Sequence, residues 1–203
     1  LGQNGILANA KKGTYIIDMT TSSPILAEKI YEEAKKKEIF AIDAPVTGGD
    51  TGAKNASLCI LTGGDKSAFE AVKPILEKMG TNIIYEGTAG AGQKTKACNQ
   101  IAIAGALAGA CEAFSYAEAA GLDVKSVFAA ISKGAAGSFQ MSNVAANALD
   151  GNFEPGFMLK HFIKDMKIGA QTGEAFGMDM PVLKQVLCEA EKLETKGLGN
   201  KGT

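Results

Sequence analysis

The chain has 203 residues, 46% of them hydrophobic and 21% charged, a balance typical of a globular protein with one large or two small domains. Its 21 basic and 22 acidic side chains leave a net charge of −1, which argues against a nucleic-acid surface or a polybasic membrane anchor. Four cysteines without close spacing and a single histidine favour reduced thiols and no metal site. The longest uncharged apolar run, 101–111, is shorter than the roughly 20 residues that a bilayer span needs. Composition therefore predicts a cytoplasmic protein.

Short β-rich runs alternate with helical patterns through the first 88 residues. Strands are predicted at 13–19, 40–45, 57–62 and 82–85. Helices are predicted at 24–37, with Ser22 or Ser23 as N-cap, and at 66–79, with Gly80 as the stop. Strands separated by helices predict a sheet that is covered on both faces and is at least partly parallel.

From residue 89 onward the pattern is helical and contains no convincing strand. A long helix is predicted at 92–121, unusually rich in alanine and glycine, and we expect it to be the buried spine of a second domain. Shorter helices are predicted at 123–132, 138–149, 158–176 and 181–196, with a loose tail over 197–203. The sequence thus predicts an α/β domain over 1–88 and an all-α domain over 89–203, and a cleft is expected where they join.

The segment Asp43–Gly49 is predicted to leave a strand and to enter a loop. Its glycines, Gly48 and Gly49, allow backbone N–H groups to converge on a carboxylate or phosphate. The carboxyl end of a strand is also where ligands bind in open α/β sheets. A purely structural turn is an equally weighted interpretation of the same pattern.

The segment Gly90-Ala91-Gly92 does not match a dinucleotide fingerprint, because Thr95 stands where the third glycine would fall. The segment is instead predicted to be a glycine-rich helix start, where the helix dipole favours an anion. Lys96, Asn99 and Gln100 follow at i, i+3 and i+4, so one helix face carries an ammonium and two amides. Lys96 is a candidate acid/base or anion ligand, although most lysines are solvated surface residues. Lys164-Asp165 is interpreted as an ordinary exposed pair.

These segments together resemble the β-hydroxyacid dehydrogenase family, which includes 3-hydroxyisobutyrate dehydrogenase and tartronate semialdehyde (2-hydroxy-3-oxopropionate) reductase. The resemblance covers nearly the whole chain. It rests on the segments 17–24, 43–49 with Gly52-Ala53, Thr62-Gly63-Gly64, 90–93 leading to Lys96 and Asn99, and Phe157 placed seven residues before Lys164-Asp165.

The resemblance implies the C-terminal part of a Rossmann-type NAD(P)-binding domain, a long interdomain helix and an all-α domain that binds substrate and self-associates as a homodimer or homotetramer. It makes Lys96 the general acid/base, with hydride passing between NAD or NADP and a small 3-hydroxyacid or semialdehyde. It assigns the remaining roles as follows: Thr47, Gly48 and Gly49 hold the substrate carboxylate, Asn99 and Gln100 position the substrate, and Thr21 and Lys164 contact the cofactor.

Two departures from the family pattern qualify this interpretation. Thr47 stands where the family usually has serine. Some relatives place the amide four residues after the lysine, where this chain has Gln100, instead of three residues after it. The family's opening strand and GxGxxG turn are also missing, so we expect a truncated and inactive form in which the choice between NAD and NADP is undetermined. A non-catalytic protein that binds ligands or self-associates through the helical domain is the alternative.

Overall fold

The computed structural model describes residues 1–203, which form two compact units, Leu1–Cys98 and Asn99–Thr203. The first unit is a mixed α/β structure and the second is all helical. The long helix α5 (Ala91–Ala119) starts in the first unit and continues into the second. The predicted fold class, an α/β part followed by a long helix and an all-α part, is confirmed.

The first unit contains one five-stranded sheet and four helices before α5. In chain order they are α1 (Ile6–Asn9), β1 (Tyr15–Asp18), α2 (Pro24–Lys35), β2 (Phe40–Asp43), β3 (Val46–Thr47), α3 (Gly49–Lys54), β4 (Leu58–Gly63), α4 (Lys66–Leu76) and β5 (Gly80–Gly87). The pairs β1–β2 and β4–β5 are parallel, whereas β4 pairs antiparallel with β2 and β3. The prediction of a partly parallel sheet is therefore confirmed.

The main core of the first unit lies between the sheet and α4. Ile42 and Ile60 from the strands are almost completely buried, as is Leu76 from the helix. Phe69 and Val72 complete the apolar face of α4. The i, i+3, i+7 spacing of these helical residues follows the 3.6-residue period, which explains why this helix was readily predicted.

Three short elements of the first unit were not predicted: α1, β3 and α3. A two-residue strand and helices of four or six residues have too few side chains to express a hydrophobic period. Gly80 was also misread, because it begins β5 instead of stopping a helix. A Cβ at this position would clash with the backbone oxygen of Leu58, so the glycine permits close approach of two strands.

The second unit contains the later part of α5, four further α-helices and two π-helical segments. They are the later part of α5, α6 (Val124–Ile131), a π-helical segment (Gln140–Ala145), α7 (Ala146–Leu149), α8 (Leu159–Ala175), α9 (Pro181–Leu193) and a second π-helical segment (Glu194–Leu198). Phe162 and Met166 of α8 are the largest side chains of this core that are fully buried, and they pack with Leu183 of α9 and Ala104 of α5.

Helix α5 has an unusual exposure for its composition. It is the one helix that is long and apolar enough, by length and composition alone, to cross a membrane. Only 28% of its apolar 18-residue window is buried, and helices packed inside proteins meet the same criterion. The expectation that α5 is a buried spine is therefore wrong for most of its surface within this chain.

The segment 197–203 was predicted to be loose, and this prediction is wrong. Leu159 N–H donates to the Lys201 carbonyl oxygen, and Lys160 N–H donates to the Gly199 carbonyl oxygen. The N–H groups at the start of a helix have no partner within the helix, so the segment supplies the acceptors that α8 lacks. Gly202 N–H in turn donates to the Phe153 carbonyl oxygen, which holds the segment in place.

The start of α5 is held against the sheet by Asp43 at the end of β2. Its carboxylate accepts hydrogen bonds from Gly90 N–H at 2.8 Å and from Gln93 N–H at 2.9 Å. Gly92 lies between these donors, where a Cβ would clash with the Leu61 backbone oxygen and lie 2.9 Å from Asp43 Oδ2. The hydrogen bonds from backbone N–H groups to Asp43 and the close approach at Gly92 therefore fix where the helix begins.

The substitution Gly92→Ala is expected to destabilise the protein by about 1–3 kcal/mol, because the added methyl group must push the helix start away from β2 and β4. The matched control is Gly109→Ala in the same helix, where a Cβ meets no atom within 4 Å. That change is expected to stabilise the protein by up to about 1 kcal/mol. Urea unfolding of both variants measures the difference, and equal stabilities would contradict this account of Gly92.

Candidate functional site

Lys96 lies in the second turn of α5 and is buried, with 7% of its surface exposed. Burial raises the pKa of the Cys59 thiol in β4, and the Lys96 ammonium opposes that rise, so the two groups lie within electrostatic range. Cys59 is the register partner of Thr47. Lys96 therefore lies within electrostatic range of β4, whose residue Cys59 pairs in register with Thr47.

Thr47 was predicted to lie in a loop, but it lies in β3, paired with β4. Gly48 and Gly49 follow with φ of 127° and 61°, a left-handed region that favours glycine. Gly49 is the first residue of α3, so its N–H belongs to the helix turn whose donors have no intrahelical acceptor. The predicted glycine turn is present, and a short strand orients the residue before it.

The loop after β1 contains Thr21 and is clamped to α5 by Gln93. The Gln93 side chain accepts from Ser22 N–H at 3.0 Å and donates to the Thr20 carbonyl oxygen at 2.7 Å. Its backbone N–H bonds to Asp43, so one buried residue joins the loop, the sheet and the helix. Sequence reasoning assigned Gln93 no role. The signal that could have identified Gln93 is its amide side chain within a glycine-rich helix start.

Ser22 Oγ is a buried polar atom without a hydrogen-bond partner. A buried hydroxyl normally has a partner, so an orphaned one at the carboxyl end of β1 indicates a place where a ligand hydroxyl or phosphate can bind. The residue adjoins Thr21, the predicted cofactor contact. The loop therefore fits a polar cofactor group.

In the second unit, a polar network links α5 to α8. Gln100 Nε2 donates to Asp165 Oδ2 at 2.7 Å, and Asn99 Nδ2 donates to Gln100 Oε1 at 2.7 Å. Asp165 Oδ1 lies 2.8 Å from Lys164 Nζ, an ion pair whose alignment is too poor for a hydrogen bond. Asp165 is only 3% exposed, so the interpretation of Lys164-Asp165 as an ordinary exposed pair is wrong. A carboxylate is buried here only because it is paired.

The predicted site residues are thus divided between the two units. The first unit contains Thr21, Thr47, Gly48, Gly49 and Lys96, and the second contains Asn99, Gln100 and Lys164. Within the second unit the three predicted residues share the network around Asp165. No group of three or more His, Cys, Asp or Glu side chains with metal-binding geometry occurs.

The carboxyl group of Asp43, which bonds to the start of α5, is buried, with only 5% of the residue exposed. Burial raises its pKa above the ordinary range, and the N–H donors of Gly90 and Gln93 oppose that rise. The buried Asp43 carboxyl therefore binds a proton more readily than the same group in the unfolded chain.

The chain thus combines a partly parallel α/β unit, an all-α unit and a buried lysine near the start of the long helix. Residues 90–202 match the family model described as NAD-binding of NADP-dependent 3-hydroxyisobutyrate dehydrogenase. Residues 1–87 match the NAD binding domain of 6-phosphogluconate dehydrogenase. The chain belongs to the β-hydroxyacid dehydrogenase family, whose cofactor is NAD or NADP.

Individual relatives agree with this assignment. The chain is 54% identical over 202 residues to an uncharacterized oxidoreductase, YkwC, of Bacillus subtilis, covering 100% of the chain and 70% of that protein. It is 34% identical to 2-hydroxy-3-oxopropionate reductase of Escherichia coli, covering 89% of the chain and 62% of that protein. The structure of Mycobacterium tuberculosis 3-hydroxyisobutyrate dehydrogenase with L-serine superposes with a TM-score of 0.89 at 30% identity, covering 96% of the chain and 69% of that protein. The chain therefore spans between 62% and 70% of these proteins.

The stability contribution of Asp43 is expected to fall as pH rises from about 4, the unfolded value, through the raised folded pKa. Below that range both states are protonated. Above it, the folded state carries the cost of a buried charge. Asp43→Asn removes this titration and leaves one N–H donor without an acceptor, which costs about 1–3 kcal/mol.

Urea unfolding between about pH 4 and pH 7 measures this effect. The stability advantage of the wild type over Asp43→Asn is expected to be largest at the acidic end and to narrow as pH rises. Asp50→Asn, an exposed carboxylate whose ion pair with Lys54 spans 3.3 Å, is the control and is expected to change stability little at any pH. A gap that widens with pH would contradict the raised pKa.

Proposed function

We propose that the protein is an NAD(P)-dependent dehydrogenase that interconverts a small 3-hydroxyacid, such as 3-hydroxyisobutyrate or glycerate, and the corresponding semialdehyde. When bound, NAD(P) supplies the hydride acceptor or donor for the substrate carbon. Membership of the family supports the reaction class. The observation that carries the proposal is the buried Lys96, near the start of a helix that buried hydrogen bonds anchor.

Lys96 is proposed to move the proton at the substrate oxygen. A positioned lysine contributes by giving a proton to the carbonyl oxygen during reduction and taking it from the hydroxyl during oxidation. Its placement is rigid because Asp43 and Gln93 hold the first turn of α5 to the sheet and to the loop after β1. Rigid placement matters because proton transfer requires hydrogen-bond distance in the reacting complex.

The substrate carboxylate is proposed to bind at Thr47, Gly48 and Gly49. Two consecutive residues with positive φ turn the backbone at the end of β3, and Thr47 adds a hydroxyl donor. Asn99 and Gln100 are proposed to position the rest of the substrate from the second unit.

Thr21 and Lys164 are proposed as cofactor contacts. The orphaned Ser22 hydroxyl beside Thr21 supports a polar ligand at the loop after β1. Lys164 carries a half-exposed ammonium, which suits an anionic group such as a phosphate. These residues would hold and orient the cofactor, and they take no part in proton transfer.

The first experiment assays the protein with 3-hydroxyisobutyrate, glycerate, serine and related hydroxyacids, each with NAD and with NADP. Serine is included because the structure of the M. tuberculosis relative is described with L-serine and a Pseudomonas aeruginosa relative is named as an NAD-dependent L-serine dehydrogenase. Turnover of one class of hydroxyacid supports the proposal. No turnover with any of them, in protein that binds neither cofactor, favours the non-catalytic alternative.

Lys96→Ala is expected to lower kcat by at least about 100-fold, because the proton transfer loses its acid/base group. Cofactor affinity and unfolding free energy are expected to change little. Lys94→Ala is the matched control: Lys94 lies two residues earlier in α5, is 42% exposed and pairs with Glu28. It is expected to keep activity within about twofold. A Lys96→Ala enzyme within tenfold of the wild type would contradict the proposed role.

We also propose that the protein associates as a homodimer or homotetramer through the helical unit. The apolar window of α5, rich in alanine and glycine and mostly not fully buried, offers a surface that permits close helix contact with a second copy. Light scattering at increasing concentration is expected to give the mass of a dimer or tetramer. A monomer across the whole range would contradict this proposal.

A further inference from the structure

Two neighbouring amides on α5, Asn99 and Gln100, form a chain of hydrogen bonds that ends on the Asp165 carboxylate. Gln100 and Asp165 are almost completely buried, 2% and 3% exposed, whereas Asn99 is half-buried. The two hydrogen bonds, Asn99 to Gln100 and Gln100 to Asp165, are both 2.7 Å long. This series of hydrogen bonds has a direction, because each bond has a defined donor and acceptor.

The direction is dictated by chemistry at one end. An ionised carboxylate only accepts hydrogen bonds, whereas an amide side chain can present either its oxygen or its NH₂ group. Asp165 Oδ2 therefore requires the NH₂ group of Gln100, which turns Gln100 Oε1 towards Asn99. That oxygen in turn requires the NH₂ group of Asn99, and Asn99 Oδ1 is left to face away from the network.

Lys164 contacts the second oxygen of the Asp165 carboxylate. Its ammonium lies 2.8 Å from Asp165 Oδ1, on the carboxylate oxygen that Gln100 does not use. An ammonium carries hydrogen-bond donors and no acceptor, so it too must face an acceptor at this oxygen. Both oxygens of Asp165 therefore face donor groups, as the direction of the hydrogen bonds requires.

We propose that Asp165 is a positioning residue that acts through Gln100 to set the polarity of Asn99, so that Asn99 presents its carbonyl oxygen to a hydrogen-bond donor on the substrate. This inference rests on the proposed function for the existence of a substrate. It adds that the group recognised by Asn99 is a hydroxyl or an ammonium, whereas a carboxylate would find an acceptor opposite to it.

Asp165→Asn is the first test, because an asparagine at this position can offer either end of its amide and no longer enforces the direction. The KM for the hydroxyacid is expected to rise about tenfold, the effect of misdirecting one buried hydrogen bond. In protein labelled with ¹⁵N at asparagine and glutamine, NMR is expected to detect faster hydrogen exchange of the Asn99 side-chain NH₂ group. Asp150→Asn is the control, since its ion pair with Lys125 is also 2.8 Å long but is exposed.

The double variant Gln100→Glu with Asp165→Asn exchanges the two ends of the link. The glutamate accepts from the asparagine at position 165 and from Asn99, so the direction is restored and the number of carboxylates is unchanged. KM and Asn99 exchange are expected to return to within about threefold of the wild type. The single variant Gln100→Glu places two carboxylates together. Its KM is expected to be higher than that of Asp165→Asn and that of the double variant.

The inference is overturned if Asp165→Asn leaves both KM and Asn99 exchange unchanged while lowering the unfolding free energy, since that result is the signature of a merely structural role. It is also overturned if the double variant recovers nothing relative to Asp165→Asn. If the wild-type protein turns over no hydroxyacid, the proposed function fails. The exchange data, which need no substrate, then still decide whether Asp165 sets the polarity of Asn99.

Discussion

The structure depends on the attachment of the first turn of α5 to the sheet by Asp43. The carboxylate accepts two backbone N–H groups that a helix start otherwise leaves unpaired, and both bonds are buried. Close approach is possible because Gly92 has no side chain to separate α5 from β2 and β4. The buried charge costs free energy, as the raised pKa of Asp43 indicates, but it fixes the position from which the whole helix extends.

Polar side chains then appear on α5 at three buried positions in succession. Gln93 joins the helix to the loop after β1, Lys96 is the proposed acid/base residue, and Gln100 reaches the Asp165 carboxylate of α8. Buried amides and charges are stable only where partners satisfy them, so each position marks a contact that the fold has arranged. The buried polar residues of this helix therefore make its contacts with other elements, while most of its small residues are only partly buried.

The parts of the fold that express a hydrophobic period were predictable. The helix α4 has an apolar face repeated over eleven residues, and β4 is a continuous apolar run, so both were placed within a few residues. The features that the sequence did not predict have a common cause. The two-residue strand β3, the pairing of residues 199–203 with the start of α8, and the close approach at Gly80 all depend on backbone contacts with distant segments, which leave no periodic signal in the local sequence.

The sequence by itself determined the order of the longer elements, the change from α/β to all-α structure and the i, i+3, i+4 placement of Lys96, Asn99 and Gln100, because these properties follow from local periodicity and helix geometry. Its ordered motifs also pointed to the family. Only the tertiary structure decided that Asp43 anchors the helix, that Gln93 clamps the loop and that Asp165 is buried beneath the two amides. Burial and hydrogen-bond direction are properties of residues far apart in the chain, such as positions 100 and 165, and no local pattern specifies them.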